Sequence, residues 1–193
     1  NKIYLRDNID VSALVVMKDG DKFDLSAAKI ANADQKSLED IVDELNRHAD
    51  RIRKKEDKHL ENTRQSMKLI PAIFMNFVLK MIAFFAFTLN LDLSRFNIPK
   101  DPLGGATVTS IGSLGLDLGY VPLVPYSRVP IFIAPGEVKD APAVVDGKVV
   151  VAKMINVNTT LDHRIVDGAH AAKMSKTVIR MLTNPFDNFD PLN

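Results

Sequence analysis

The stretch from Leu69 to Leu91 constrains this chain more than any other, because Leu, Ile, Met, Val, Ala and Phe fill nearly every position apart from Pro71, Asn76, Lys80, Thr88 and Asn90. Such a segment has to be covered by protein or lipid, since each Leu, Ile or Phe removed from water contributes roughly 1.5–3 kcal/mol. Its length suits a membrane span. Lys80 near the middle opposes that reading, at a cost of roughly 2.5–3.5 kcal/mol on an insertion scale. A returning pair of apolar helices, a helix lying in a membrane interface, and a helix packed into an oligomer contact are the other ways of covering it.

Taken whole, the 193 residues have an ordinary soluble balance, with 46% hydrophobic and 25% charged residues, which is material for one well-buried domain. Lys and Arg total 25 against 24 for Asp and Glu, so no broad positive field is available to neutralise phosphates, and nucleic acid is excluded as an expected partner. The basic stretch from Arg47 to Lys58 is broken by Asp50, Glu56 and Asp57 and reads as a solvated helix face. The chain has no cysteine, which removes disulfides, thiolate metal sites and a protein-borne thiol nucleophile. Any thiol chemistry is therefore brought by the substrate. The sequence begins at Asn1 without a signal-peptide pattern, and a further upstream segment is expected.

Along the chain, Val11 to Lys18 reads as a strand, and Asp19-Gly20 as the turn that returns it into Phe23 to Ile30. Ser37 followed by Asp40 has the form of a capping box, and Leu38, Ile41, Val42, Leu45 and Ile52 follow at helical spacing, which predicts a helix with one buried face. After a break at Pro99, Pro102 and Gly104-Gly105, Ala106 to Ile111 reads as a strand. Ile131 to Ala134 is a short apolar run, and Asp146-Gly147 is a hairpin turn whose second arm runs from Lys148 to Leu161. A helix from Ala169 to Leu182 ends at Asn184-Pro185. Strands and helices mix without regular βαβ alternation, which predicts an α+β sandwich.

The chemistry-bearing segment is Thr160-Leu161-Asp162-His163-Arg164-Ile165-Val166-Asp167-Gly168-Ala169, where a strand ends, a tight loop follows and a helix begins. By spacing alone, His163 reads equally well as an ordinary loop histidine and Asp167 as the N-cap of the last helix. The run Asp162 to Gly168 resembles the histidine motif in the catalytic domain of the 2-oxoacid dehydrogenase acyltransferases, a fold shared with chloramphenicol acetyltransferase. Gly105 to Gly112 resembles the family strand bearing the hydroxyl that stabilises a tetrahedral intermediate, with Thr109 at that position and Ser110 beside it on the opposite face of a regular strand. Asp34 to Leu38 resembles the opening of the family's preceding helix, so the similarity takes in residues 1–59 and 103–185.

The resemblance implies a chloramphenicol acetyltransferase-like two-layer α+β sandwich with a mixed sheet. It implies acyl transfer between coenzyme A and dihydrolipoamide or a related acceptor. His163 is then the general base, Thr109 the hydroxyl donor and Asp167 an orienting group. The lipoyl group is a carrier not borne on this chain. A core or scaffold subunit with little catalysis, and a free-standing acetyltransferase acting on a small hydroxyl compound, are the competing readings. The family core ordinarily opens with a further helix and strand that this sequence lacks, so the N-terminal part of the fold is expected to be missing. The family also has only a short loop where this chain carries Leu60 to about Lys100, an apolar insertion within a single domain of residues 1–193. A single crossing there would put two parts of one domain on opposite sides of a bilayer. The resemblance further implies a homotrimer or larger core with active sites between subunits, and dehydrogenase-complex subunits as partners. The expected location is the cytoplasm or mitochondrial matrix, with peripheral membrane contact through 69–91 as one way of covering that segment. His48 and His59 fall in a charged helix, and His163, Asp167 and His170 do not form a zinc-helix pattern, so no metal is expected.

Overall fold

The computed structural model of the chain describes residues 5–19, 22–54, 56, 70–96, 98, 101–124 and 127–189. The expected opening hairpin is present as β1 (Val11–Asp19) and β2 (Lys22–Ile30), antiparallel in the register Val11 to Ile30 through Asp19 to Lys22. Gly20, half of the expected turn, lies outside the described residues. Ser37 then caps α1 (Leu38–Arg53): its hydroxyl accepts from the Asp40 N–H at 3.1 Å, and its own N–H donates to the Asp40 carboxylate at 3.4 Å. These reciprocal bonds satisfy amides that have no partner within the helix.

The helix lies over β1 and β2, where Ala49 and Ile52 are buried with Val15, Met17 and Ala28, and Leu45 packs against them. Val42 was expected on this buried face and is instead 44% exposed. At about 100° per residue it lies at the rim of the stripe defined by Leu45, Ala49 and Ile52.

The sheet continues through β3 (Ala106–Val108), β4 (Ile131–Pro135) and β7 (Val157–Leu161) in the order β2-β1-β3-β4-β7. β3 is parallel to both β1 and β4, whereas β4 and β7 are antiparallel, so the sheet is mixed. The expected strand from Ala106 to Ile111 stops at Val108. Its backbone keeps contact with β4, since the Thr109 N–H donates to Ile133 O and the Ile111 N–H to Pro135 O, but a 3₁₀ turn at Gly112–Leu114 then bends it away. Gly112 permits that bend by lying directly on Gly136: a Cβ at position 112 would sit 2.2 Å from the Gly136 carbonyl oxygen.

The hairpin at Asp146-Gly147 forms between β5 (Lys139–Val145) and β6 (Lys148–Met154), with positive φ at both turn residues, as a two-residue primed turn requires. The second arm does not run unbroken from Lys148 to Leu161. It is interrupted at Ile155 and Asn156, where the Asn156 carbonyl accepts from the Gly136 N–H. The two strands of the hairpin leave the main sheet there and pair only with each other.

The apolar segment folds as α2 (Ala72–Ala83), continued by a π-helical turn at Phe84–Thr88. It exposes a stripe of Ile73, Phe74, Phe77, Met81, Phe84 and Phe85, with Ile73 at 83% and Phe77 at 64% exposure. Among the described residues nothing covers this stripe. Among the described residues no helix is long and apolar enough to cross a membrane. Two further helices, α3 (Gly168–Thr183) and the short α4 (Pro185–Asn188), close the fold, and the last long helix ends at Asn184-Pro185 as expected.

The Gly112 to Gly136 contact makes the first prediction. Gly112→Ala forces backbone against backbone, and its folding stability is expected to fall by about 1–3 kcal/mol. Urea midpoints of the variant and the parent, compared at equal slope, measure this.

Candidate functional site

Residue Asp162 ties the end of β7 to the loop that follows. Its N–H donates to Pro130 O at 2.8 Å, which extends the β4–β7 pairing by one residue. Its carbonyl accepts from the Ile165 and Val166 N–H groups, both at 2.9 Å, and these two bonds close the turn over 163–165. Its carboxylate accepts from the Arg164 N–H at 3.1 Å, from Nε at 2.9 Å and from Nη2 at 2.6 Å. Asp162 is only 8% exposed, and the Arg164 hydrogen bond outweighs burial to hold its carboxyl at a pKa of about 2.

His163 sits exposed on this turn, and among the described residues no hydrogen bond or ion pair engages its imidazole. Asp167 follows as the N-cap of α3. Its Oδ1 accepts from the His170 N–H at 2.8 Å, and the His170 Nδ1 lies at the same distance from it. The His170 backbone bond is the main reason the Asp167 carboxyl is held below the ordinary range. Asp167 thus orients the start of α3, and no hydrogen bond or ion pair among the described residues joins it to His163.

Thr109 is half-buried just past the end of β3. It and His163 lie at opposite ends of β4: Val108 pairs with Ile133, placing Thr109 level with Ala134, whereas Leu161 pairs with Ile131, placing His163 level with Val129. Five residues of strand at about 3.3 Å each, with two strand spacings across, separate them by roughly 15–20 Å. One chain does not bring its own threonine and histidine together. Nor does strand alternation choose between Thr109 and Ser110, because the regular pleat ends at Val108 and both hydroxyls lie beyond it.

Sequence reasoning passed over Asp117, which anchors the loop beside Thr109. Its carboxylate accepts from Lys139 and from Asn156 Nδ2, the latter at 2.9 Å, and its carbonyl accepts from Asn158 Nδ2 at 3.1 Å. The Lys139 bond is the chief cause of its lowered carboxyl pKa. These partners lie 22, 39 and 41 residues away, with no local pattern to announce them. Thr107 was not singled out either; it is fully buried on β3 with no partner for its Oγ1 among the described residues. Among the described residues, no three His, Asp or Glu side chains gather as a metal site.

Comparison with known proteins places the segment holding Thr109, His163 and Asp167. Residues 99–189 match the family described as the 2-oxoacid dehydrogenases acyltransferase (catalytic domain). Over that stretch the chain is similar to the catalytic domains of that family. Among similar proteins, the lipoamide acyltransferase component of the branched-chain alpha-keto acid dehydrogenase complex of Pseudomonas putida is 36% identical over 88 residues, which are 45% of this chain and 20% of that protein. The chain thus matches about a fifth of this curated relative's length. The acyltransferase fold itself extends further. Azotobacter vinelandii dihydrolipoamide acetyltransferase, studied for the role of a serine, a histidine and an asparagine in its catalytic mechanism, superposes with a TM-score of 0.59 at 20% identity, covering 92% of this chain and 54% of that one. The cubic core of the pyruvate dehydrogenase multienzyme complex gives the same TM-score, identity and coverage.

The Asp162 carboxylate carries a pH dependence. Its folded pKa of about 2 lies below the ordinary carboxyl value of 3.8, so its contribution to stability is full above about 3.8 and is lost as pH falls through about 2. Asp162→Asn is expected to be less stable than the parent at pH 5 and to show a smaller further loss between pH 4 and pH 2. Denaturant midpoints across that range measure the difference.

Proposed function

We propose that this chain is the catalytic core of an acyltransferase that moves an acyl group between coenzyme A and dihydrolipoamide or a related thiol acceptor. The observation that carries the reading is the turn after β7, which presents an exposed imidazole, without a partner among the described residues, within the family-matched segment. A free thiol has a pKa of about 8.5 and is mostly protonated at neutral pH, so it attacks poorly until a base removes the proton. His163 takes the proton from the attacking thiol, the new C–S bond forms at the thioester carbonyl, and a tetrahedral oxyanion results. Collapse breaks the bond to the leaving thiolate, which recovers the proton from His163. General base assistance of this kind is worth about 10²–10⁴-fold in rate.

Thr109 supplies the hydroxyl donor in this reading, at roughly 3 kcal/mol of oxyanion stabilisation, with Ser110 as the second candidate. The Azotobacter relative, whose histidine and asparagine are spaced by four residues, supports the pairing of roles, since His163 and Asp167 have that same spacing. Asp167 acts by holding the loop-to-helix junction. Coenzyme A is the acyl donor or acceptor, and a lipoyl group is the acyl carrier.

The separation of Thr109 from His163 across β4 supports an active site shared between copies, with His163 of one chain facing Thr109 of another in a homotrimer or a larger core built from it. The multienzyme core found among the solved relatives supports such an assembly and, with it, dehydrogenase-complex subunits as partners. Residues 1–193 act as one domain, and the exposed stripe on α2 favours an added assembly role for the insertion.

His163→Ala is expected to lose transfer, read as coenzyme A release from acyl thioesters with and without dihydrolipoamide, while keeping its fold and assembly. Unchanged turnover removes His163 from the role. A mixing test decides the shared site. His163→Ala and Thr109→Ala, each strongly impaired alone and shown to exchange subunits, are reassembled in equal amounts. Random mixing restores both groups to about a quarter of the sites in a closed cyclic assembly. No recovery in exchanging subunits excludes sharing.

For the insertion, amides of 72–88 are expected to exchange slowly in the assembled protein without detergent. Rapid exchange throughout contradicts burial between subunits. Protection that appears only with lipid vesicles replaces it with membrane contact.

A further inference from the structure

We infer that Asp162 is a positioning residue for His163, acting through the fork it forms with Arg164; this rests on the reading of His163 as the base. Three kinds of bond converge on this one residue. Its N–H donates to the Pro130 carbonyl just ahead of β4, its carbonyl gathers the Ile165 and Val166 amides, and its carboxylate takes the Arg164 amide and guanidinium. The result joins the rigid end of the sheet to both sides of the turn that carries His163.

The side-chain bond between residues 162 and 164 closes a ring around the residue between them. With both neighbours committed to each other, the His163 side chain takes no part in the ring and is exposed. A fork is suited to this because the planar guanidinium meets the carboxylate through two parallel N–H groups, which fixes orientation as well as distance.

Arg164 is 80% exposed along its side chain, and an exposed ion pair by itself contributes little to stability. The carboxylate it meets is not exposed, however, and without Arg164 the buried Asp162 oxygens keep only one backbone donor. The pair therefore holds geometry more than it holds the fold together. Misplacement of a reacting group by about 1 Å can cost on the order of 10²-fold in rate.

The test uses the assembled protein, with Asp162→Asn, Arg164→Lys and the double variant, read by kinetics and by the His163 ring resonances in histidine-labelled samples. Asp162→Asn presents an amide N–H where Nη2 needs an acceptor, and is expected to lower kcat on the order of 10²-fold while KM for the acyl thioester stays within about twofold. Arg164→Lys keeps the charge but lacks the fork and is expected to lower kcat by about 10-fold. The double variant should match Asp162→Asn alone, because the two changes break the same contact. The His163 resonances are expected to shift and broaden in each variant.

Unchanged kcat with unchanged His163 resonances in Asp162→Asn overturns the inference, as does a fully additive double variant. If Asp162→Asn does not fold, Arg164→Lys, which leaves the buried carboxylate and the turn's main-chain bonds in place, decides by the same two readings. His163→Ala separates this inference from the parent reading. Should that variant keep full turnover, His163 is not the base, and the ring resonances alone then decide whether Asp162 positions it.

Discussion

Because β4 shares its backbone hydrogen bonds with a parallel neighbour on one edge and an antiparallel neighbour on the other, the ends of β3 and β7 point in opposite directions. A parallel strand finishes where its neighbour finishes, and an antiparallel strand finishes where its neighbour starts. The hydroxyl pair after β3 and the histidine after β7 are therefore delivered to different ends of the same sheet. Everything proposed about a shared site depends on this geometry. Movement of side chains does not span such a distance within one chain, whereas a second copy can offer its opposite end to the first.

The two ends of the sheet are finished by different physical means. Beyond β3 the backbone packs on itself, with Gly112 on Gly136 and Gly136 on the Asp117 carbonyl, and the Asp117 side chain ties the loop to Lys139 and Asn156. Beyond β7 the chain turns through bonds that belong almost entirely to Asp162. Close backbone contact makes the first end intolerant of added atoms. The charged fork makes the second end sensitive to chemistry and not to volume, so conservative changes at Asp162 and Gly112 act through unrelated mechanisms.

The helix α2 poses a different energetic problem. It has apolar side chains on nearly every face and only Asn76 and Lys80 as polar interruptions. An interfacial membrane helix ordinarily carries a strongly polar face opposite its apolar one, and this helix has none of that width. A helix apolar on all sides is buried in protein or spans a bilayer, and among the described residues no helix is long and apolar enough to cross one. Its stripe from Ile73 to Phe85 is therefore better matched to another protein surface than to a lipid boundary.

The local elements were legible in the sequence because they depend on neighbours in the chain. Ser37 and Asp40 cap α1, Asp146 and Gly147 turn the hairpin, and Asp167 starts α3, each through bonds spanning a few residues. Order within the Asp162-to-Gly168 motif was legible for the same reason. Three features were not: the early end of β3 at Val108, the break at Ile155 and Asn156, and the exposure of Val42. Each is decided by what lies across the sheet or beyond its edge. The anchoring of Asp117 was hidden likewise, since its partners are far off in the chain. By itself the sequence determined the local elements and the short segments that hold Thr109, His163 and Asp167. Only the tertiary structure decided where those residues stand, because the direction of a strand relative to its neighbours, and not its own composition, sets the end of the sheet from which the chain emerges.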